Sequence, residues 1–408
     1  MIQEKILNNG IKIIHQQNTF SKVGHVGVFI NVGSRDEEKG EEGVAHYLEH
    51  VIFKGTKKRK AFHVLSRLDS VGGELNAYTT KEETCIYASF PTEYLNRSLE
   101  LLSDIIFNSN FPKQELAKEK EVVIDEINSY KDSPSDLIFD EFDQQLFNGH
   151  SLGNDILGTI SQVKKIQRAD VIKFVQKHYL PERMVISSIG NYTFKELVNY
   201  LNKYFEDNSS LFQTQKRSVP NKISVKDKTL DKEFYQSHMV LGGRGVSAVH
   251  PSKNSLLLVN NLLGGPAMNS RLNLSIREKY GFTYILESNC VIYSDCGSFS
   301  VYFATDPRNT QKVERLVHKE LLRLCNNLLG TIQLSQAKKQ VKGQLAISME
   351  NNLGVMLAHG RSKLLFNKVD TLDEVLDDFE RISSSQIIEV ANQIMHPDNL
   401  FKITYKAK

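Results

Sequence analysis

Tryptophan is absent from this chain of 408 residues, an absence that excludes nothing by itself; the other scarcities are more informative. Only four cysteines occur, Cys85, Cys290, Cys296 and Cys325, with no CxxC pair and no spacing of a disulfide framework. No apolar run approaches the ~18 residues of a membrane span. The opening stretch MIQEKILNNGIKII lacks a basic segment followed by a long apolar one. It reads instead as a strand, an Asn-Gly turn and a second strand. Charge of one sign is also missing, with Lys+Arg 51 against Asp+Glu 48 and a net charge of +3. The densest basic run, Lys57-Lys58-Arg59-Lys60, is too short for a nucleic-acid footprint. These absences lead us to expect a cytoplasmic protein that binds neither nucleic acid nor membrane.

What is present is ordinary globular composition, 40% hydrophobic and 24% charged, in a chain long enough for two domains. A polar, poorly periodic segment at 206–221 marks the candidate linker. It separates a domain over 1–210 from a second over 222–408. The halves repeat one order of elements. In the first, a strand over Val26 to Val32 is followed by helical segments, a strand pair (GELNAYTT and TCIYASFP), and a long amphipathic helix after Pro91. In the second, the strand SHMVLGG is followed by helical segments, a strand pair (FTYILESNCVIY and GSFSVYFATDP), and a long helix after Pro307. The expected fold is α+β, with two similar domains, each a mostly antiparallel sheet packed with helices, related by internal duplication.

One short motif carries chemistry. In GVAHYLEHVIFKGT, His46 and His50 stand at i and i+4, on one face of a helix, and Glu49 borders that face. Catalytic Zn²⁺ takes three protein ligands and keeps a position open for water, whose proton a nearby carboxylate can accept. The motif provides two ligands and that base. A third ligand belongs on another helix, and residues 113–134 read as one, ended by Pro134. Glu119 and Glu126 lie two turns apart on one face of it, and composition does not choose between Glu119, Glu121 and Glu126. The second half has no such motif. His63, His150, His238 and His250 read as surface or packing residues, and Cys85 has no assigned chemistry.

His46-x-x-Glu49-His50 inverts the common zinc-protease order HExxH, the mark of the inverzincins. Together with VVIDEI around Glu126, GGELNAYT over 72–79 and IREKYGFTY over 276–284, it makes the whole chain resemble the pitrilysin-type (insulinase) metallopeptidases. The likeness is to half-length bacterial members, similar to the mitochondrial processing peptidase β subunit. The resemblance implies a third zinc ligand a little over seventy residues beyond the second histidine, where Glu126 stands. It implies a supporting, non-ligating role for the glutamate seven residues earlier, Glu119. It makes Asn76 and Ala77 part of an edge strand to which substrate backbone adds. Arg277 would hold substrate backbone, and Tyr284 would donate to the oxyanion as charge develops there.

The function implied is that of a zinc endopeptidase with one Zn²⁺ per chain, acting on peptides or unfolded segments inside an enclosed dimer chamber. Its partner would be a second copy, with Arg277 and Tyr284 serving in trans. The alternatives are the catalytic half of a heterodimeric processing peptidase, or a non-peptidase scaffold subunit.

Overall fold

The structure is a computed structural model that describes residues 2–206, 217–222 and 224–407. Of the candidate linker, residues 207–216 lie outside the described residues. The chain forms two compact units. One comprises Met1–Ser129, Asn154–Ser218 and Ser348–Val369; the other comprises Tyr130–Gly153, Val219–Ile347 and Asp370–Lys408.

The first unit is built on six strands: β1 (Ile2–Ile6), β2 (Lys12–Gln17), β3 (Val23–Ile30), β4 (Glu74–Thr79), β5 (Thr84–Pro91) and β6 (Met184–Gly190), in the order β1-β2-β6-β3-β5-β4. All neighbours are antiparallel except β2 and β6. Side chains alternate along each strand, so the sheet has two apolar faces. Val26, Val28 and Ile30 enter the main core with Leu99 and Leu102 of a helix over Leu95–Asn108. Phe29, Cys85 and Val185 point the other way, onto Val355 and Met356 of a helix over Asn352–Phe366. A strand buried on both faces must satisfy its polar side chains internally. In β6, Ser187 Oγ accordingly donates to Met356 O at 2.7 Å, and Ser188 Oγ pairs with the Tyr192 hydroxyl at 2.7 Å.

The second unit repeats the plan with β7 (Lys228–Lys232), β8 (Ser237–Arg244), β9 (Thr283–Ile292), β10 (Gly297–Thr305) and β11 (Phe401–Ala407), in the order β7-β11-β8-β10-β9. Again a single parallel pair, β7 with β11, stands in an otherwise antiparallel sheet. Met239, Leu241 and Phe299 face one core. Val240, Tyr302 and Ile403 face a second, shared with Ile138, Phe142 and Leu146 of a helix over Pro134–Leu146.

The units therefore divide the chain differently from the contiguous spans 1–210 and 222–408. Each sheet is apolar on both faces, and one face of each is covered by a helix drawn from the opposite half of the sequence. Among the described residues no helix is long and apolar enough to cross a membrane.

The fit of helix Asn352–Phe366 is close. A Cβ on Gly360 would lie 2.0 Å from the Phe29 ring, which is itself fully buried. On helix Thr331–Ser348, a Cβ on the exposed Gly343 would meet nothing within 4 Å. Two Gly→Ala substitutions should therefore move stability in opposite directions. Gly360→Ala is expected to destabilise by about 1–3 kcal/mol through overpacking. Gly343→Ala is expected to stabilise by about 0.4–1 kcal/mol through the unfolded chain. Denaturant unfolding of the full chain distinguishes them, and a neutral or stabilising Gly360→Ala would contradict the described packing.

Candidate metal centre

The motif helix, α1 (Val44–Val51), is short and is fixed at both ends. Its N-cap is Gly43 with φ +89, a conformation that favours glycine, and a Cβ there would lie 2.9 Å from Leu157 O. The Glu37 carboxylate accepts from the N–H groups of Gly43 (3.1 Å) and Ala45 (2.8 Å), satisfying donors that the first turn leaves unpaired. Burial pushes this carboxyl up to about 8. The adjoining loop is held by ion pairs. Arg217 grips Asp36 through Nε (2.9 Å) and Nη2 (2.6 Å), and Arg35 meets Glu82 at 2.5 Å with both side chains nearly fully buried. Val44, Ala45, Tyr47, Leu48 and Val51 enter the core, which leaves His46, Glu49 and His50 along the other side.

The second contributor is α2 (Lys113–Lys131), which buries Leu116, Val123, Ile124 and Ile127. The Tyr47 hydroxyl donates to Leu116 O at 2.5 Å, so the two helices are joined by a hydrogen bond as well as by packing. This contact decides among the acidic residues. Glu121 is exposed. Glu126 Oε2 lies 3.2 Å from His50 Nε2 and 3.7 Å from His46 Nε2. Glu119 Oε2 lies 3.5 Å from the other nitrogen of His50, Nδ1, and Glu119 Oε1 is 2.7 Å from Lys54 Nζ.

These residues fit a zinc ion. Ligand atoms of His46, His50 and Glu126 all lie within 4.8 Å of one another. Tetrahedral ligands at ~2.0–2.1 Å from one ion would stand roughly 3.3 Å apart, close to the two His–Glu126 separations. Among the described residues neither ring nitrogen of His46 is engaged in a protein hydrogen bond, and Nδ1 is buried without a partner. Burial, with His50 nearby, pushes the His46 imidazole down to about 4, leaving it a neutral nitrogen donor. Two imidazoles and a carboxylate are a donor set that zinc favours.

Glu49 is half-buried. Burial pushes its carboxyl up and the charge of Glu126 adds to that, against the pull of Thr79 and His50. Thr79 ends β4, so Glu49 stands beside the edge strand of the first sheet. Asn76 and Ala77 occupy that strand, opposite Tyr87 and Ile86 of β5, and among the described residues the far edge of β4 pairs with no strand. Arg277 and Tyr284 lie in the second unit, where both line a cleft of about 620 Å³ with Asn260, Asn273 and Glu287. The helix carrying Arg277 widens into a π-helical turn over Asn273–Glu278, and its chain reverses at Gly281 with φ +63. Tyr284 is 81% exposed, so its hydroxyl is open to a ligand.

Four other histidines named from the sequence make local contacts or stand exposed. His63 is exposed, His150 and His250 accept turn N–H groups, and His238 pairs with the Tyr302 hydroxyl at 2.8 Å. Cys85 is fully buried, and burial pushes its thiol up. Sequence patterning gives no sign of two residues that matter here, Glu37 and Lys54. Lys54 lies three residues beyond the last residue of α1, in the turn that follows it, so helical spacing from His50 does not point to it.

Residues 12–160 match the family described as Insulinase (Peptidase family M16), and residues 165–341 match Peptidase M16 inactive domain. The "Uncharacterized zinc protease YmxG" of Bacillus subtilis (strain 168) is 32% identical over 398 residues, covering 98% of this chain and 97% of that protein. An "Uncharacterized zinc protease" of Rickettsia bellii is 32% identical over 389 residues, covering 95% of this chain and 93% of that one. The solved structure of a protease from Helicobacter pylori superposes with a TM-score of 0.92 at 21% identity, covering 100% of this chain and 99% of that one. A structure described as peptidase M16 inactive domain from Pseudomonas fluorescens gives 0.89 at 17% identity, covering 100% and 98%. At these identities the two structures bear on the fold alone. The full-length likeness to the Bacillus protein and the two successive domain matches show that this chain belongs to the insulinase family, peptidase family M16.

Proposed function

We propose that this chain is a zinc-dependent endopeptidase that hydrolyses peptides or unfolded polypeptide segments. The observation that carries the reading is the convergence of His46, His50 and Glu126, with Glu49 beside that cluster and near Thr79 of the edge strand β4. His46, His50 and Glu126 would hold one Zn²⁺ per chain. Bound there, zinc supplies Lewis acidity, which acidifies water and polarises a carbonyl. Glu49 takes a proton from the attacking water and delivers it to the leaving amine. Substrate backbone adds to β4 at Asn76 and Ala77, a mode that selects extended chains over folded ones. Glu119 orients His50 through Nδ1.

Arg277 and Tyr284 complete the reaction in this proposal, the first by holding substrate backbone and the second by donating to the oxyanion. They act from a second copy of the chain, in a homodimer whose enclosed chamber admits only unfolded substrates. Support comes from the presence of both motif sets in one chain and from the exposure of Tyr284 at a polar cleft. The cysteine pattern fits a reducing compartment such as the cytoplasm.

Two outcomes test this. Purified wild type should hold one zinc per chain and cleave a quenched, unstructured peptide. Glu49→Gln should keep its zinc and lose cleavage by at least ~10²-fold, the scale of general-base catalysis. Zinc retention without cleavage in the wild type, across a varied peptide set, would favour a scaffold or a missing partner chain. Mixing Glu49→Gln with Arg277→Ala chains should restore activity by reassembling one intact site per mixed dimer. No recovery despite demonstrated subunit exchange would rule out action in trans.

A further inference from the structure

Lys54 has no role in the reaction as described so far, yet it makes one short, directed contact. Its Nζ lies 2.7 Å from Glu119 Oε1, while Glu119 Oε2 faces His50 Nδ1 at 3.5 Å and His50 Nε2 faces Glu126 at 3.2 Å. The two oxygens of Glu119 are thus divided between an ammonium and an imidazole. We infer that Lys54 is a positioning residue for the metal centre: it anchors Glu119 beside His50, sets the His50 tautomer, and keeps Glu119 from becoming a ligand in place of Glu126. This inference rests on the zinc reading above.

The physical case has three parts. A solvated lysine pair is worth little, but the Glu119 side chain is only 11% exposed, where a carboxylate needs a fixed counter-charge. The terminal torsion of a glutamate is broad, so geometry must come from its partners. With Lys54 on Oε1, Oε2 is directed at Nδ1 at 3.5 Å, a placement that would favour the N–H at Nδ1 and so the lone pair at Nε2, the nitrogen that faces Glu126. Without the ammonium, a second carboxylate would stand free beside His50 and compete with Glu126.

The lysine is also held from both sides. Its N–H donates to Val51 O at 3.1 Å, Ser109 Oγ donates to Ile52 O at 2.9 Å, and Asn110 N–H donates to Gly55 O at 3.2 Å. Gly55 has φ +143 and turns the chain directly after Lys54. The ammonium therefore projects from a pinned turn, with 24% of its side chain exposed.

The test uses the full chain and two readouts that do not depend on cleavage: zinc affinity by competition with a chromophoric chelator, and the visible spectrum of the Co²⁺-substituted protein. Lys54→Met should weaken zinc by about 10-fold, the lower end of the effect of removing groups that orient metal ligands. It should also alter the cobalt bands, as coordination by a second carboxylate would. Lys54→Arg should restore most of the affinity. In a Glu119→Gln background, Lys54→Met should cause no further loss, because the lysine acts through that carboxylate. Lys54→Gln carries the same expectations should the Met variant fail to fold. Unchanged affinity and spectrum would overturn the inference, as would an equal loss in the Glu119→Gln background. If the wild type binds zinc no better than His46→Ala, the zinc reading itself fails, and this inference with it.

Discussion

Crowding of charge at the seam between α1 and α2 is the constraint on which the rest of the first unit depends. Glu49, Glu119 and Glu126 are set around His46 and His50, and Lys54 is the cation paired with this group. Three carboxyl groups and one ammonium around two imidazoles leave an excess of acidic groups in a half-buried place. Separating them into water would break the Tyr47–Leu116 hydrogen bond and open the core behind α1. A divalent cation held by His46, His50 and Glu126, as proposed, would offset that excess. The buried Glu37 cap, the Arg217–Asp36 pair and Gly43 fix the N-terminal end of the short helix and the loop before it.

The two units show one architecture put to different uses. In both, a strand crosses the centre of the sheet and is followed by a helix, α1 in the first and Lys253–Gly264 in the second. The second helix buries Leu256, Leu258, Val259 and Leu263 much as α1 buries its apolar side. Where the first has histidines and a glutamate, the second has Asn260 and Asn261, and Asn260 donates to Ser288 O at 3.1 Å. The corresponding helix of the second unit thus contributes to the wall of a cleft, whereas α1 presents the candidate metal ligands.

Much of this was legible before the structure. A strand is expected over Val26 to Val32 from its alternation and another in GSFSVYFATDP, and the structure has strands at Val23–Ile30 and Gly297–Thr305. The His-x-x-Glu-His spacing needs only helical geometry. What could not be read was partnership between distant elements. PSDLIFDEFDQQL announces an amphipathic helix but not which sheet it covers, and it covers the second. Periodicity places Glu119 and Glu126 on one face of α2 without saying which of them meets both histidines. Lys54 reads as one more surface charge until α2 is brought alongside it. Local pattern determines elements, whereas the approach of two elements determines ion pairs and ligand sets.

The most direct measurement of the central claim is anomalous X-ray diffraction at the zinc edge from crystals grown with stoichiometric zinc. One strong peak per chain is expected, within ~2.0–2.2 Å of His46 Nε2, His50 Nε2 and a Glu126 oxygen, with Glu119 outside ligand distance. No peak among these side chains, or a peak ligated by Glu119 in place of Glu126, would contradict that claim.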